Sequence, residues 1–217
     1  MTQTLLAQWH TTPEEDTIAT VMPDGCRDLI MRTSQGEKPQ WFISSLEDHT
    51  YTVSIQSGVF MKGFRLKPGA RIDEQRLLAS VQNQDYDDQG LCDRINSFSF
   101  LSRSVVEALD CLACDAGSVA CAAAELGVSQ RSLQRLLFRE TGRSPSYWML
   151  LARVRQTARS MLEPFLQRSS LAEIALMHGY ADQAHMSREF MRWLNISPAK
   201  LRRGSEPFYQ LNERGYG

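Results

Sequence analysis

The sequence has few of the residues and motifs that identify an enzyme or a membrane protein. It contains only four histidines and five cysteines in 217 residues, and neither kind forms the ligand cluster that a catalytic metal site requires. A Gly-rich phosphate loop and a nucleophile elbow are both absent. No apolar run reaches the roughly 18 to 20 residues that span a membrane. We therefore expect a non-enzymatic protein that binds no cofactor, no metal and no membrane.

The first residues of the chain also lack the basic segment and the long apolar core of a secretory signal peptide. This predicts a soluble, cytoplasmic protein in which the cysteines stay reduced. Cys111 and Cys114 have a spacing that can hold zinc or form a redox disulfide, although no second pair accompanies them. Both lie on a predicted helix, 105–114, where cysteine behaves as a small hydrophobic residue. Packing is the favoured interpretation, and a redox- or metal-responsive switch is the alternative.

The net charge of −1 conceals an uneven distribution. Residues 1–117 contain 10 lysines and arginines against 17 aspartates and glutamates, a net charge of −7. Residues 118–217 contain 14 against 8, a net charge of +6, and every one of those cations except Lys200 is arginine. The planar fork of arginine suits phosphates and guanine edges. The second half is therefore predicted to bind a polyanion, and the first half is not.

The spacing of apolar residues along the sequence differs between two regions of the chain. Residues 1–70 show short alternating runs between turn signals, which predict strands at 17–22, 28–32, 50–55 and 59–66. The spacing then becomes helical, first near Leu77 and more strongly over 105–112. Helices are predicted throughout the region that begins at Val119, and the tail from Pro207 is expected to be frayed.

The helical half contains an internal repeat. Ala123 and Gly127 recur 52 residues later as Ala175 and Gly179, and the segment 133–135 recurs 53 residues later. Each copy reads as a short helix, a tight turn with glycine and a longer helix, which is the helix-turn-helix arrangement. A major groove admits one α-helix, and the N-terminal part of that helix meets the base edges.

The first turns of the two longer helices are rich in side chains that can read bases. Gln and Arg pair bidentately with adenine and guanine, and alanine offers a methyl contact to thymine. The exposed candidates are Gln130, Arg131, Gln134 and Arg135 in the first copy, and Gln183, Ala184, His185, Ser187 and Arg188 in the second.

Residues 118–203 resemble the DNA-binding domain of AraC/XylS-family transcriptional regulators. The matching segments are 126–135, 141–145, 179–190 and 197–198, in that order. The resemblance implies two helix-turn-helix subdomains, joined by a long helix over 145–162, that enter successive major grooves. Its base-reading positions fall on Arg131, Gln134, Arg135, Gln183, Ala184 and Arg188. It also implies that backbone N–H groups near Ser129 and Asp182 hold phosphates.

Residues 22–30 and 64–69 resemble two segments of a short N-terminal domain found in some AraC-type regulators. That resemblance implies a small β-rich module for effector binding or dimerisation. Arg27, Asp28 and Arg65 are the polar candidates to line an effector pocket, and the alternatives are an internal Arg–Asp pair or a plain surface location. His10 and His49 are too isolated for a cupin-like metal site.

We therefore predict an α+β protein. A β-rich domain over 1–100 is followed by a helical linker over 101–117 and an all-α DNA-binding domain over 118–205, which we expect to fold autonomously. The alternative is that the helix 105–114 completes the core of the first helix-turn-helix unit. The predicted partner is double-stranded DNA. The further candidate partners are RNA polymerase, a small-molecule effector and a second copy of the chain, bound through the N-terminal domain.

The leading functional hypothesis is a sequence-specific transcription regulator. One alternative is the redox- or metal-responsive switch that uses Cys111 and Cys114. Another is a DNA-bound adaptor whose N-terminal domain binds only protein.

The charge distribution predicts a steep dependence of DNA binding on salt. Each contact between a cation and a phosphate releases a counterion, so log Kd is expected to rise with log salt by about 0.9 per contact. Fluorescence anisotropy with a DNA duplex across a potassium chloride series measures the slope. An affinity that is indifferent to salt would contradict the basic-domain interpretation.

Overall fold

The computed structural model describes residues 3–82, 87–114, 117–204, 211 and 213–217. Strands dominate the first part of these residues and helices the second, which confirms the predicted α+β fold class. None of the helices in the described ranges is long and apolar enough to cross a membrane.

The N-terminal part is built from short antiparallel strands. They are β1 (Leu5–Thr11), β2 (Thr17–Val21), β3 (Arg27–Thr33), β4 (Gln40–Ile43), β5 (Tyr51–Ile55), β6 (Phe60–Leu66), β7 (Arg71–Ile72) and β8 (Ser99–Phe100). The main sheet has the order β1-β6-β3-β4, while β2 pairs with β5 and β7 with β8. The four predicted strands correspond to β2, β3, β5 and β6, each within one residue at either end. β1, β4 and the two-residue strands β7 and β8 were not predicted, because their short sequences do not alternate regularly between apolar and polar residues.

The helices of the described residues begin at residue 74, and β8 lies between the second and the third of them. They are α1 (Glu74–Val81), α2 (Asp88–Phe98), α3 (Arg103–Ala113), α4 (Val119–Glu125), α5 (Gln130–Thr141), α6 (Pro145–Leu162), α7 (Leu171–Met177), α8 (Gln183–Leu194) and α9 (Pro198–Arg202), with a 3-10 helix at Pro164–Arg168. α2 was not predicted, since it buries only Leu91 and Ile95 within a polar sequence.

Two hydrophobic clusters hold the molecule together. In the smaller one, α1 and α2 cover one face of the main sheet, and its buried side chains are Leu29, Phe64, Leu66, Leu77, Val81, Leu91 and Ile95. The larger cluster contains the buried faces of α3 to α9, together with Met22 from the N-terminal part. The N-terminal part is therefore a sheet with two helices that is packed onto the helical half.

Helix α3, within the segment predicted to be a linker, is part of the larger core. Val105, Leu109 and Leu112 are buried in the same cluster as Leu133 and Leu137 of α5. The Sγ atom of Cys111 lies 3.6 Å from the carbonyl oxygen of Ala122 in α4. This packing corresponds to the alternative in which the helix 105–114 completes the first helix-turn-helix unit. The domain boundaries at 100, 117 and 205 stay a prediction.

The C-terminal tail is ordered against this core at the residues that can be described. Pro207 lies outside the described residues, but Leu211 and Tyr216 are buried, so the prediction of a frayed tail is wrong for both. The Tyr216 hydroxyl donates to the carbonyl oxygen of Leu109 at 2.8 Å, and its backbone N–H donates to that of Asp24 at 2.7 Å. A large aromatic side chain near the tail's end thus packs between α3 and the N-terminal part.

The packing of α3 predicts how fragments of the chain behave. A fragment covering 118–217 is expected to melt well below one covering 101–217. Removing α3 exposes its partners in the core, and one Leu→Ala cavity alone costs about 2 to 5 kcal/mol. Thermal unfolding followed by circular dichroism compares the two fragments. Equal melting temperatures would contradict a core role for α3.

Candidate nucleic-acid interface

The two copies of the repeat form the same local structure. In the first, Gly127 has a φ of +67°, and the N–H of Val128 donates to the carbonyl oxygen of Ala123 at 2.9 Å. In the second, Gly179 has a φ of +71°, and the N–H of Tyr180 donates to Ala175 at 2.9 Å. A positive φ is cheap only for glycine, so the turn that separates α4 from α5 is repeated between α7 and α8.

The longer helix of each copy begins with a side-chain cap. The Ser129 hydroxyl accepts from the N–H of Ser132 at 3.1 Å, and the Asp182 carboxylate accepts from that of His185 at 2.6 Å. Both residues are exposed, so they present the start of α5 and of α8 to the outside. Helix N-termini of this kind carry partial positive charge and suit phosphate oxygens.

Each longer helix buries a narrow stripe and leaves the opposite face free. α5 buries Leu133 and Leu137, whereas α8 buries Met186, Phe190, Trp193 and Leu194. α5 ends at Gly142, with a φ of +69°, and α8 ends at Asn195, with a φ of +54°. Asparagine tolerates this left-handed conformation better than most residues, which explains how α8 ends without glycine.

The predicted DNA-binding residues lie mainly on the free faces. Nine of the eleven are exposed: Ser129, Gln130, Arg131, Gln134, Arg135, Asp182, Gln183, Ala184 and Arg188. The guanidinium groups of Arg131, Arg135 and Arg188 form no ion pair with a described carboxylate. They are therefore available to a ligand.

His185 and Ser187 are only partly exposed and also serve the local fold. The Nδ1 atom of His185 accepts from the backbone N–H of Ala181 at 3.3 Å, and its ring meets the edge of Tyr180 with centroids 5.4 Å apart. The Ser187 hydroxyl donates to the carbonyl oxygen of Gln183 at 2.9 Å. Contacts of either residue with DNA stay a prediction.

The long helix α6 joins the two units through an arginine whose role the sequence did not indicate. Arg153 donates to the carbonyl oxygen of Gly179 at 3.1 Å, and its guanidinium lies 4.7 Å from the ring centroid of Tyr180. The turn of the second unit is thereby tied to the middle of α6. No local pattern shows this contact, because the two partners lie 26 residues apart in the sequence.

The three effector candidates of the N-terminal part do not come together at one pocket. Asp28 is buried, and its carboxylate accepts from Trp9 Nε1 at 2.7 Å and from Arg65 Nε at 3.2 Å. Arg27 instead donates to the carbonyl oxygen of Ser44 at 2.9 Å and pairs with Glu74 at 2.9 Å. Adjacent residues of a strand face opposite sides of the sheet, which separates Arg27 from Asp28. Asp28 and Arg65 form the internal pair that the sequence left open as an alternative.

The Asp28–Arg65 pair extends towards the tail. Arg65 also lies 3.3 Å from a carboxylate oxygen of Asp24 and 3.0 Å from one of Glu213. Burial raises the pKa of Asp24, while the Arg65 guanidinium acts in the opposite direction. The network therefore joins β6 to the C-terminal tail.

Arg27 does line a cavity of about 130 Å³ between the sheet and the C-terminal end of α5. Lys67 and Arg71 contribute positive charge to its wall and Glu140 contributes negative charge, while Thr141 and Trp148 form the side next to the helices. A cavity of this volume accommodates about four water molecules, which is less than most sites for drug-sized ligands need.

The cysteines offer little support for a switch. Cys111 and Cys114 are both free; the first is buried, as the packing interpretation expects, and the second is exposed, so that interpretation is wrong for Cys114. Burial, followed by the nearby Glu125 carboxylate, raises the pKa of Cys111 to about 11, so its reactive thiolate is scarce at neutral pH. Over the described residues, no group of three or more His, Cys, Asp or Glu side chains is placed to hold a metal ion.

The fold and this surface define a protein with two helix-turn-helix units. Residues 122–204 match the family described as a helix-turn-helix domain. A segment of 88 residues is 33% identical to the HTH-type transcriptional activator RhaS of Escherichia coli strain SE11. That alignment covers 41% of this chain but only 31% of RhaS. Together with the motifs quoted above, these matches show that residues 122–204 form a helix-turn-helix domain that is similar to that of AraC/XylS-type transcription regulators.

Solved structures are similar to parts or to most of the chain. The C-terminal domain of AraT from Geobacillus stearothermophilus is 26% identical, with 48% of this chain and 87% of that chain covered and a TM-score of 0.43. ToxT from Vibrio cholerae is 10% identical, with 91% and 97% covered and a TM-score of 0.44. Since both TM-scores are below 0.5, the similarity of residues 122–204 to AraC-type domains rests on the sequence matches.

The burial of Cys111 predicts unequal reactivity of the two neighbouring thiols. In the native protein, iodoacetamide is expected to modify Cys114 quickly and Cys111 slowly, because only Cys114 is exposed and the Cys111 pKa is raised. Mass spectrometry of peptides over a time course measures both rates. Equal rates, or a disulfide between the two after mild oxidation that changes DNA affinity, would restore the redox hypothesis.

Proposed function

We propose that this chain is a sequence-specific transcription regulator that reads two successive major grooves with α5 and α8. The observation that carries the proposal is the equivalence of the two exposed faces. A shift of 53 residues superposes Gln130 on Gln183 and Arg135 on Arg188, and all four side chains are exposed. A repeat that served packing alone would have no need for glutamine and arginine at the same exposed positions in both copies.

The chemistry of these positions supports base recognition. Arginine donates two parallel hydrogen bonds to guanine, and glutamine pairs with adenine. Arg131 has Ala184 as its equivalent, which leaves only a methyl group for contact with thymine. We therefore propose that the first unit reads more of its half-site through hydrogen bonds than the second unit does.

The surrounding charges support a phosphate-binding role. The capped N-termini of α5 and α8 present backbone N–H groups beside Ser129 and Asp182. The region 118–217 has a net charge of +6, so it attracts DNA at long range as well as at the contact.

For the N-terminal part, we propose signal sensing or self-association. The cavity of about 130 Å³ beside Arg27 touches both the sheet and α5, so a small polar ligand bound there would contact both halves. RNA polymerase and a second copy of this chain are proposed partners on the basis of the resemblance to AraC-type regulators alone.

The base-reading proposal is tested by truncating one arginine in each unit. Arg135→Ala and Arg188→Ala are each expected to weaken binding to the selected operator by about 1 to 3 kcal/mol, with little effect on random DNA. The operator is first selected from a random library with the full chain, and affinities are then measured by mobility shift.

Arg76→Ala is the matched control, because Arg76 is exposed on α1, far along the chain from both units. It is expected to leave specific and random binding unchanged. Equal losses on operator and random DNA for Arg135→Ala and Arg188→Ala would make these residues phosphate contacts and would contradict base reading. Failure of the full chain to select any sequence would contradict the proposed function as a whole.

A further inference from the structure

The segment between β4 and β5 contacts both helix-turn-helix units. We call residues 46–50 the strap. At its first end, Arg143 donates to the carbonyl oxygen of Leu46, and the Tyr147 hydroxyl donates to that of Glu47 at 2.6 Å. At its other end, Thr50 donates to the carbonyl oxygen of Trp193. Arg143 and Tyr147 belong to the first unit and its junction with α6, whereas Trp193 lies in the second reading helix.

Thr50 provides hydrogen-bond donors for a carbonyl group near the C-terminus of α8 that has no partner within the helix. The last four carbonyl groups of an α-helix have no partner within the helix. The backbone N–H and the hydroxyl of Thr50 both donate to the carbonyl oxygen of Trp193, each at 2.9 Å. α5 differs, because its own C-cap residue, Gly142, donates its backbone N–H to the carbonyl oxygen of Phe138. Among the described residues, the N-terminal part therefore helps to cap the end of α8, whereas no such contact reaches the end of α5.

The first end of the strap is held by several interactions at once. The Leu46 side chain packs against the larger core. The Arg143 guanidinium lies 4.9 Å from the ring centroid of Tyr147 and 4.0 Å from a carboxylate oxygen of Asp48. His49 and Arg143 both lower the pKa of Asp48, so this carboxylate stays charged beside the arginine.

The strap is too short to let its two ends move independently. Four peptide units from Leu46 to Thr50 span at most about 14 Å. With one end fixed where α5 meets α6 and the other fixed at the end of α8, the strap limits how far α8 can turn relative to α5. The units are also linked directly. Arg153 donates to Gly179, Ser160 Oγ lies 2.7 Å from His178 Nε2, the ring centroids of Tyr147 and Trp193 are 5.3 Å apart, and both units contribute to the larger core.

We infer that the strap is a positioning element that sets the angle and separation of the two reading helices, and thereby the spacing of half-sites that the protein accepts. The inference rests on the proposed function. One base pair added between half-sites rotates the second by about 35° and moves it by about 3.4 Å. If the two reading helices are held in one relative orientation, the protein therefore binds a site with altered spacing weakly. If the helices can shift relative to each other, the loss of affinity is smaller.

Two substitutions loosen the strap without disturbing the core. Tyr147→Phe removes only the hydroxyl that donates to Glu47 and keeps the ring contacts. Thr50→Val removes only the hydroxyl that donates to Trp193 and keeps the side-chain shape. Thr52→Val makes the same chemical change two residues later, on an exposed position of β5, and is the matched control.

The experiment uses the full chain, the operator selected by the wild-type protein, and copies of it with one or two base pairs inserted or removed between half-sites. Wild type and Thr52→Val are expected to discriminate against the altered spacings equally. Discrimination by the double variant Tyr147→Phe/Thr50→Val is expected to fall about fivefold or more, because each hydrogen bond contributes about two- to tenfold to an equilibrium. Affinity for a single isolated half-site is expected to stay the same.

The inference is overturned if the double variant and a triple variant that adds Arg143→Ala both keep the wild-type discrimination, since α6 alone then fixes the spacing. It is also overturned if Thr52→Val loses discrimination as Thr50→Val does. These failures leave specific binding by the wild type intact. Absence of specific binding by the wild type contradicts the proposed function instead, and the inference with it.

Discussion

The complete burial of the Trp148 indole is the constraint on which the arrangement of the halves depends. Its Nε1 atom donates to the Thr141 hydroxyl at 3.1 Å, which ties the start of α6 to the end of α5. Its ring meets that of Tyr216 edge to face at 5.0 Å. A Cβ on Gly25 would lie 2.9 Å from the indole, so the N-terminal turn reaches Trp148 only through a glycine with a positive φ. A single side chain thus organises the first unit, the tail and the N-terminal part.

The same junction explains how charged groups are accommodated between the halves. Arg155 of α6 is fully buried and donates to the carbonyl oxygen of Pro23 at 3.1 Å. Burial lowers its pKa, and the neighbouring Asp24 carboxylate opposes that effect. Asp24 in turn lies beside Arg65, whose other partners are Asp28 and Glu213. Buried charges that depend on each other in this way need a defined geometry, which favours one docking of the N-terminal part on the helices.

Much of the fold was predictable where the signal is local. Glycine turns, side-chain caps and the hydrophobic stripe of α5 are all encoded within about ten residues of one another. β1 was missed, because its hydrogen-bond partner β6 is distant in sequence, and β4 was missed although its partner β3 is close, because its four residues show no regular alternation. Cys111 was correctly interpreted as a packing residue. Asp28 and Arg65 were singled out as polar candidates, but only the antiparallel register of β3 and β6 shows that they face each other.

The sequence by itself determined the two helix-turn-helix units, the residue types on their reading faces and the basic character of the second half, because repeat period, capping and charge are properties of short segments. Only the tertiary structure decided which surfaces meet. It packed α3 under α5, buried Tyr216 of the tail and placed Thr50 at the end of α8. These contacts join residues up to 143 positions apart, and they form because distant side chains and backbone groups must share one core and satisfy each other's hydrogen bonds.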